Sequence, residues 1–383
     1  MKPPTLALCM VLRDQGKFLP HCLTSIGGAV DALYLVTTKS NPAQRQCAHQ
    51  FGASLRLIKW TDDFSAARTA SIRDVPEDWI LFLNPDEWFP EPPKEALRRA
   101  LRGCRHAALA LQYEAIEGYT PVWSRRLFKN HSGIRFEGLI HEHIRSSLAE
   151  LPNATTGHIP VRLVNGADDQ QSNLGKLCRS LPLLRREWDR AVQAKDYLQQ
   201  LQVGKALGLT LILSGDAAAG ELHLIQTVGL LASHSCKVGE EQVSLELEAL
   251  AALCWRYLKT NRARVAVVLC RELEARMGRR AAFRLLRGVA LLSAGEVPAA
   301  LKDLRWLETR ADKLQLEIAV PRSHLGVDLQ YWLGQCYQQL GNFPKARQKY
   351  LACAKANPDH LEYRARVRLV EVLAKNFEST ARS

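Results

Sequence analysis

The 383-residue chain lacks the arrangements that would make its ten cysteines structural. It has no Cys-x-x-Cys pair and no Cys/His spacing suited to zinc. Scattered cysteines of this kind fit free thiols in a reducing compartment better than a disulfide framework. The chain also lacks a long apolar run. Leu6–Leu12 is too short to span a bilayer, and Arg13-Asp14-Gln15 follows it with no small-residue cleavage site. The expectation is a soluble cytoplasmic protein with no membrane span and no secretory signal. There is no run of Lys and Arg and no base-stacking module, which points away from nucleic acid as a partner.

What is present is an ordinary globular composition, 47% hydrophobic and 24% charged, in a chain long enough for two or more domains. The formal net charge of +13 is unevenly spread. Residues 1–170 hold 20 Lys and Arg against 18 Asp and Glu; the remainder holds 32 against 21. The basic character therefore belongs to the C-terminal part, either as solvated helix faces or as a surface for an acidic partner.

The N-terminal part alternates strand and helix signals. Leu6–Leu12 reads as a strand buried on both faces. A helix over 17–26 follows, with Phe18, Leu19, Cys22, Leu23 and Ile26 at helical spacing and Gly27-Gly28 ending it. Strands are expected at 32–36, 55–59 and 79–83, with helices at 43–51, 65–73 and 94–101 between and after them. Residues 107–114 and 122–144 look strand-rich. Repeated βαβ units of this length predict a mostly parallel sheet covered on both sides.

From about residue 172 the pattern is helical throughout and repeats. Cys254, Gly288 and Gly334 occupy one small-residue position in similar helix pairs. The first interval is one 34-residue tetratricopeptide period; the second is longer, by an insertion expected around 317–325. The last unit is the clearest: Tyr331-Trp332-Leu333-Gly334-x-x-Tyr337, then Gly341, Ala346, Tyr350 and Pro358. Leu207-Gly208 with Gly215 suggests an earlier, weaker unit. Small residues let the helices of a hairpin approach, and aromatics fill the groove between them.

The most informative stretch is residues 55–89. A strand leads into Trp60-Thr61-Asp62-Asp63-Phe64-Ser65 and a helix carrying Arg68; a second strand then ends in Asn84-Pro85-Asp86-Glu87. Acidic residues at the end of a buried strand are where α/β enzymes place a metal and a phosphorylated ligand.

With Leu8–Asp14, Arg125–Asn130 and Phe136-Glu137-Gly138-Leu139-Ile140-His141-Glu142, this stretch resembles a family-2-like glycosyltransferase, here followed by tetratricopeptide repeats. The resemblance covers roughly residues 5–190. It implies an α/β GT-A domain over 1–170 that binds a nucleotide-sugar donor and a divalent cation (Mg²⁺ or Mn²⁺). A connecting helix over 171–194 and all-α repeats over 195–383, which hold a polypeptide or glycan acceptor, complete the expected arrangement. The chain departs from the family pattern at four places. Arg13-Asp14-Gln15 stands for Lys-Asn-Glu, Thr37–Pro42 for an Asp-led nucleotide motif, Asn84 for the first acid of Asp-x-Asp-Glu, and Val164-Asn165-Gly166-Ala167 for His-Tyr-Gly-Tyr.

The resemblance and the residue chemistry together name the candidates. Asp86 is the retained acid and best metal ligand, with His141 second; the bland reading is a loop acid that caps a helix or pairs with a Lys. Asn84 offers a carbonyl oxygen but one charge fewer. Asp63 either contacts the donor or caps the following helix. Arg68 clamps a diphosphate or pairs with Asp62 or Asp63. Thr37 hydrogen-bonds a base, and Glu142 is the general base of an inverting transfer, with Glu137 the alternative. Arg125 and Arg126 contact phosphate or are solvated. Two function classes follow: a glycosyltransferase acting on a nucleotide sugar and a polypeptide or glycan, or an inactive scaffold that binds proteins through its repeats.

Overall fold

The computed structural model describes residues 2–12, 18–116, 118–130, 133–166, 170–233 and 240–380. Arg13-Asp14-Gln15 and Ala167 lie outside the described residues. The chain divides into two compact units, Met1–Ser214 and Gly215–Ser383.

The first unit begins with β1 (Leu6–Leu12), α1 (Leu19–Ser25), β2 (Ala32–Thr37), α2 (Pro42–Gln50), β3 (Ser54–Leu57), α3 (Phe64–Ile72) and β4 (Trp79–Phe82). A short β5 (Glu87–Trp88), α4 (Lys94–Leu101), β6 (Ala108–Glu114), β7 (Val122–Lys129), α5 (Arg145–Ala149) and β8 (Thr156–Asn165) follow. One eight-stranded sheet runs β3-β2-β1-β4-β7-β6-β8-β5. The β3-β2-β1-β4 half is parallel, as the βαβ pattern predicts. The other half is mixed: β7 is antiparallel to both β4 and β6, β8 is parallel to β6, and β5 is antiparallel to β8. The mostly parallel expectation therefore holds for one half only, because β6 and β7 are joined by a short hairpin rather than by a crossover helix.

Local chemistry explains the elements. Asn41 caps α2 by accepting from the Gln44 N–H, and Pro42 sits at the first turn where its missing donor costs nothing. Asp63 caps α3 through the Ala66 N–H at 3.0 Å. β1 is buried on both faces; Leu6, Leu8 and Met10 face one core, Ala7 and Cys9 the other. β8 went unforeseen, although its burial alternates through Gly157, Ile159, Val161 and Leu163. Pro160 interrupts that strand. The β6·β8 register slips between Leu111 and Gln112, opposite the residue that cannot donate to the ladder.

Two helices, α6 (Gln170–Gln193) and α7 (Tyr197–Leu213), belong with the sheet. Compactness thus divides the chain some twenty residues beyond the start expected for the repeats. Buried Glu187 on α6 accepts from the Leu139 N–H at 2.9 Å and from Gln199 Nε2 at 2.9 Å. Arg145 reaches Gln199 and Gln202 on α7.

The second unit is helical: α8 (Ala217–Ser233), α9 (Glu240–Lys259), α10 (Ala263–Met277), α11 (Ala281–Ser293), α12 (Val297–Glu308), α13 (Val327–Gln339), α14 (Phe343–Ala356) and α15 (Leu361–Thr380). The stretch between α12 and α13 holds only two short 3₁₀ turns, Ala311–Lys313 and Arg322–Leu325, where the insertion was expected. The small-residue position is explained by contact. A Cβ on Gly334 would sit 2.6 Å from Tyr350 Cε1, and one on Gly288 would sit 2.9 Å from Leu304 Cδ2. Cys254 is fully buried, with its sulfur 3.7 Å from that of Cys270.

Gly334→Ala is expected to destabilise the protein by roughly 1–3 kcal/mol, because the added methyl overpacks a fully buried tyrosine. Gly229 on α8 has nothing within 4 Å of a Cβ. Gly229→Ala should therefore stabilise by about 0.5–1 kcal/mol through helix propensity alone. Chemical denaturation of the two variants checks the opposite signs.

Candidate functional site

The carboxyl ends of β2 and β4 carry the motifs singled out in the sequence. Beyond β4, Asn84 makes a polar junction. Its backbone N–H donates to Glu87 Oε2 at 2.8 Å and its Nδ2 donates to Glu87 Oε1 at 2.9 Å. Its Oδ1 accepts from Arg68 NH2 at 3.2 Å. An amide is the one group of this shape able to donate to a carboxylate and accept from a guanidinium at once. Glu87 is fully buried and also takes Arg126 NH2 at 2.7 Å. Arg126, considered for phosphate, is thus an interior residue, stacked 4.4 Å over Tyr113. Burial raises the Tyr113 pKa above its usual value. Arg125 donates to Thr156 Oγ1 at 3.0 Å.

Arg68 lies on α3 and projects across the strand end. It forms an ion pair with Glu142 and lies 4.2 Å over the Phe82 ring. It does not pair with Asp62 or Asp63: Asp63 caps its own helix, and Asp62 accepts from Trp60 Nε1 at 2.8 Å. Glu142, the expected base, is therefore held by the expected diphosphate clamp.

The loop that carries Glu142 is closed on itself. Glu137 and His143 exchange backbone hydrogen bonds at 2.8 and 2.9 Å, so Gly138–Glu142 is presented between them. The Phe64 N–H donates to the Leu139 carbonyl at 3.1 Å, which ties the loop to the start of α3. Gly138 has φ +96°, and a Cβ there would meet Gln199 Nε2 at 2.8 Å, so only glycine lets the loop lie against α7. His141 sits at φ +56°, a conformation that costs energy for a non-glycine residue. Glu137, the alternative base, pairs with Arg135 at 3.0 Å.

The remaining candidates are placed as follows. Thr37 is buried at the end of β2; its Oγ1 bonds Gln44 Oε1 and accepts from the Lys39 N–H, both at 3.3 Å. The Asp86 backbone carbonyl accepts from the Gly166 N–H at 2.7 Å, which joins the β4 end to the end of β8. The structure therefore brings Arg68, Asn84, Glu87 and Glu142 into one network. Asp86 lies two residues from Asn84, and His141 adjoins Glu142. Among the described residues, no group of three or more His, Cys, Asp and Glu side chains comes together to hold a metal. Asn84 is neutral, and Glu87 is taken up by Asn84 and Arg126.

Sequence reasoning missed the supports: Phe82 beneath Arg68, Arg126 behind Glu87, and Glu187 with Gln199 behind the loop. It also missed His143, whose pKa is pushed down to about 3, chiefly by burial and next by the Arg145 charge. The apolar spacing of β4 and β7 was the one available signal, since it turns Phe82 and Arg126 toward the core.

Residues 327–360 match the tetratricopeptide repeat model, so the C-terminal region contains TPR repeats. A TPR repeat-containing protein of Synechococcus elongatus is 36% identical over 148 residues, covering 38% of this chain and 37% of that protein. The SPbeta prophage-derived glycosyltransferase SunS of Bacillus subtilis is 21% identical over 156 residues, covering 39% of this chain and 37% of that protein. The chain thus spans well under half the length of these curated relatives. A thermophilic TPR protein of Thermus thermophilus shares 18% identity at a TM-score of 0.31, covering 53% of this chain and 94% of that one. No described helix is long and apolar enough to cross a membrane.

The geometry of the strand end and of the loop can each be tested. Asn84→Asp replaces the donor facing Glu87 with a second carboxylate and should destabilise the protein by roughly 1–3 kcal/mol at neutral pH. In a double-mutant cycle, Glu87→Gln should return part of that loss. The loop is tested by pH. The folded His143 binds a proton less readily than in the unfolded chain, so its contribution to stability is complete above about pH 6.5 and is lost as pH falls toward 3. Denaturation between pH 7 and 4 should show a steeper loss in the wild type than in His143→Gln.

Proposed function

We propose that the chain is a glycosyltransferase of GT-A type. On this reading it moves a sugar from a nucleotide donor to a polypeptide or glycan held by its TPR repeats, with inversion. The observation that carries the reading is the Arg68–Glu142 pair at the carboxyl edge of the parallel half-sheet, one strand end from Asp86. Open α/β sheets bind ligands at that edge. The distant similarity to SunS, named as a glycosyltransferase, agrees with it.

The chemistry uses groups already in place. A donor's diphosphate offers Arg68 a stronger bidentate acceptor than Glu142 does. As Arg68 turns to it, the Glu142 carboxylate is freed. The acceptor's nucleophilic atom attacks the anomeric carbon from the face opposite the diphosphate. The sugar–oxygen bond breaks, the nucleoside diphosphate leaves with the electron pair against Arg68, and the acceptor proton passes to Glu142. On this reading Thr37, at the end of β2, serves the nucleotide base, and Asp63 orders the helix that positions Arg68.

The alternative reading, a non-catalytic GT-like scaffold that binds proteins through its repeats, is favoured by one observation. Asn84 is satisfied by Glu87 and Arg68 with no ligand needed.

Melting the full chain with a panel of nucleotide sugars, with and without Mn²⁺, separates the two. A donor at a hundred times its Kd should stabilise the protein by about 2.7 kcal/mol. Arg68→Ala should remove that gain. A panel in which no nucleotide sugar or nucleoside diphosphate raises the melting temperature leaves the scaffold reading.

A further inference from the structure

The second unit contains a cavity of about 360 Å³ between α10, α11 and α12. Its floor is α11, and its walls are the second helices of two successive hairpins. Five cationic side chains line it, Arg271, Arg279, Arg284, Arg287 and Lys302, against two acids, Glu274 and Asp303. The lining therefore carries an excess of three positive charges.

The two acids are already used to fix the floor. Asp303 is only 3% exposed, and it accepts from Arg284 NH1 at 2.9 Å and from Arg287 Nε and NH2 at 2.7 and 3.0 Å. Glu274 pairs with the same Arg287. Arg284 is braced on its other side, 4.6 Å over the Trp306 ring. These guanidiniums are held in place before any ligand arrives, so little freedom is lost on binding. The rim is different. Arg271 has a solvent-exposed pair with Glu296, which is weakly held. Arg279 and Lys302 are exposed, and among the described residues neither has a hydrogen-bond or ion-pair partner.

We propose that this cavity is a binding site for a small ligand bearing a phosphate or diphosphate group. Its volume lies at the small end of ligand pockets, roughly 300–1,000 Å³, which suits a compact multiply charged group better than an extended acidic peptide. Guanidinium forks match phosphoryl oxygens in geometry as well as charge, and a lysine adds a point charge at the rim. The site shares no residue with the strand-edge network and does not depend on the glycosyltransferase reading.

The test is calorimetric titration of the full chain with inorganic pyrophosphate at fixed ionic strength. The wild type is compared with Arg279→Ala/Lys302→Ala and with Arg68→Ala. The two rim residues have no partners to lose, so the double variant should melt like the wild type. It should bind pyrophosphate at least about tenfold more weakly, the worth of one charge-assisted contact, while a titration step of unchanged affinity persists in Arg68→Ala. The proposal is overturned if the double variant binds as the wild type does, or if the binding is lost only in Arg68→Ala. It is equally overturned if the cavity takes a glutamate-rich peptide, lost in the double variant, but no pyrophosphate.

Discussion

Arg68 is the residue on which the organisation of the strand edge depends. Its guanidinium takes a carbonyl oxygen from the end of β4 and a carboxylate from the 137–143 loop, and it rests on an aromatic ring of β4. Those contacts hold together α3, the end of β4 and the distant 137–143 loop. Both charges of the ion pair are largely withdrawn from solvent, with side-chain exposures of 17% and 7%. Losing either partner would strand the other in a poorly solvated place, a cost of about 3–5 kcal/mol. The loop in turn leans on α6 and α7 through Glu187 and Gln199, which draws those helices into the α/β unit.

Asn84 belongs to the same constraint. With an acid at that position, Glu87 would face a second negative charge inside the core. With the amide, one side chain satisfies both a buried carboxylate and a guanidinium. The amide therefore ties the strand end together with one negative charge fewer than a carboxylate would bring. This is why the enzyme and scaffold readings meet at one residue. What separates them is whether Arg68 can exchange Glu142 for a ligand.

Much of this was legible in the sequence for identifiable reasons. Continuous apolar runs such as Leu6–Leu12 marked parallel core strands, and the spacing of Cys254, Gly288 and Gly334 marked the helix pairs, whose close approach leaves no room for a side chain at the glycines. Arg68 and Glu142 were each singled out, but their pairing was not, because contacts between segments so far apart in the chain leave no local periodicity. β8 was missed since Pro160 reads as a breaker; the strand tolerates it by a register slip. The reach of α6 and α7 onto the loop was also hidden. Buried Glu187 and Gln199 look like ordinary polar helix residues until their partners on another segment are known.

The most direct measurement is a crystal structure of the full chain with a nucleoside diphosphate and Mn²⁺ soaked in. Donor binding at the strand edge predicts density for the diphosphate at the carboxyl ends of β2 and β4, with Arg68 turned from Glu142 onto a phosphate oxygen. Strand-edge density absent at saturating ligand, with Arg68 still paired to Glu142, would contradict it.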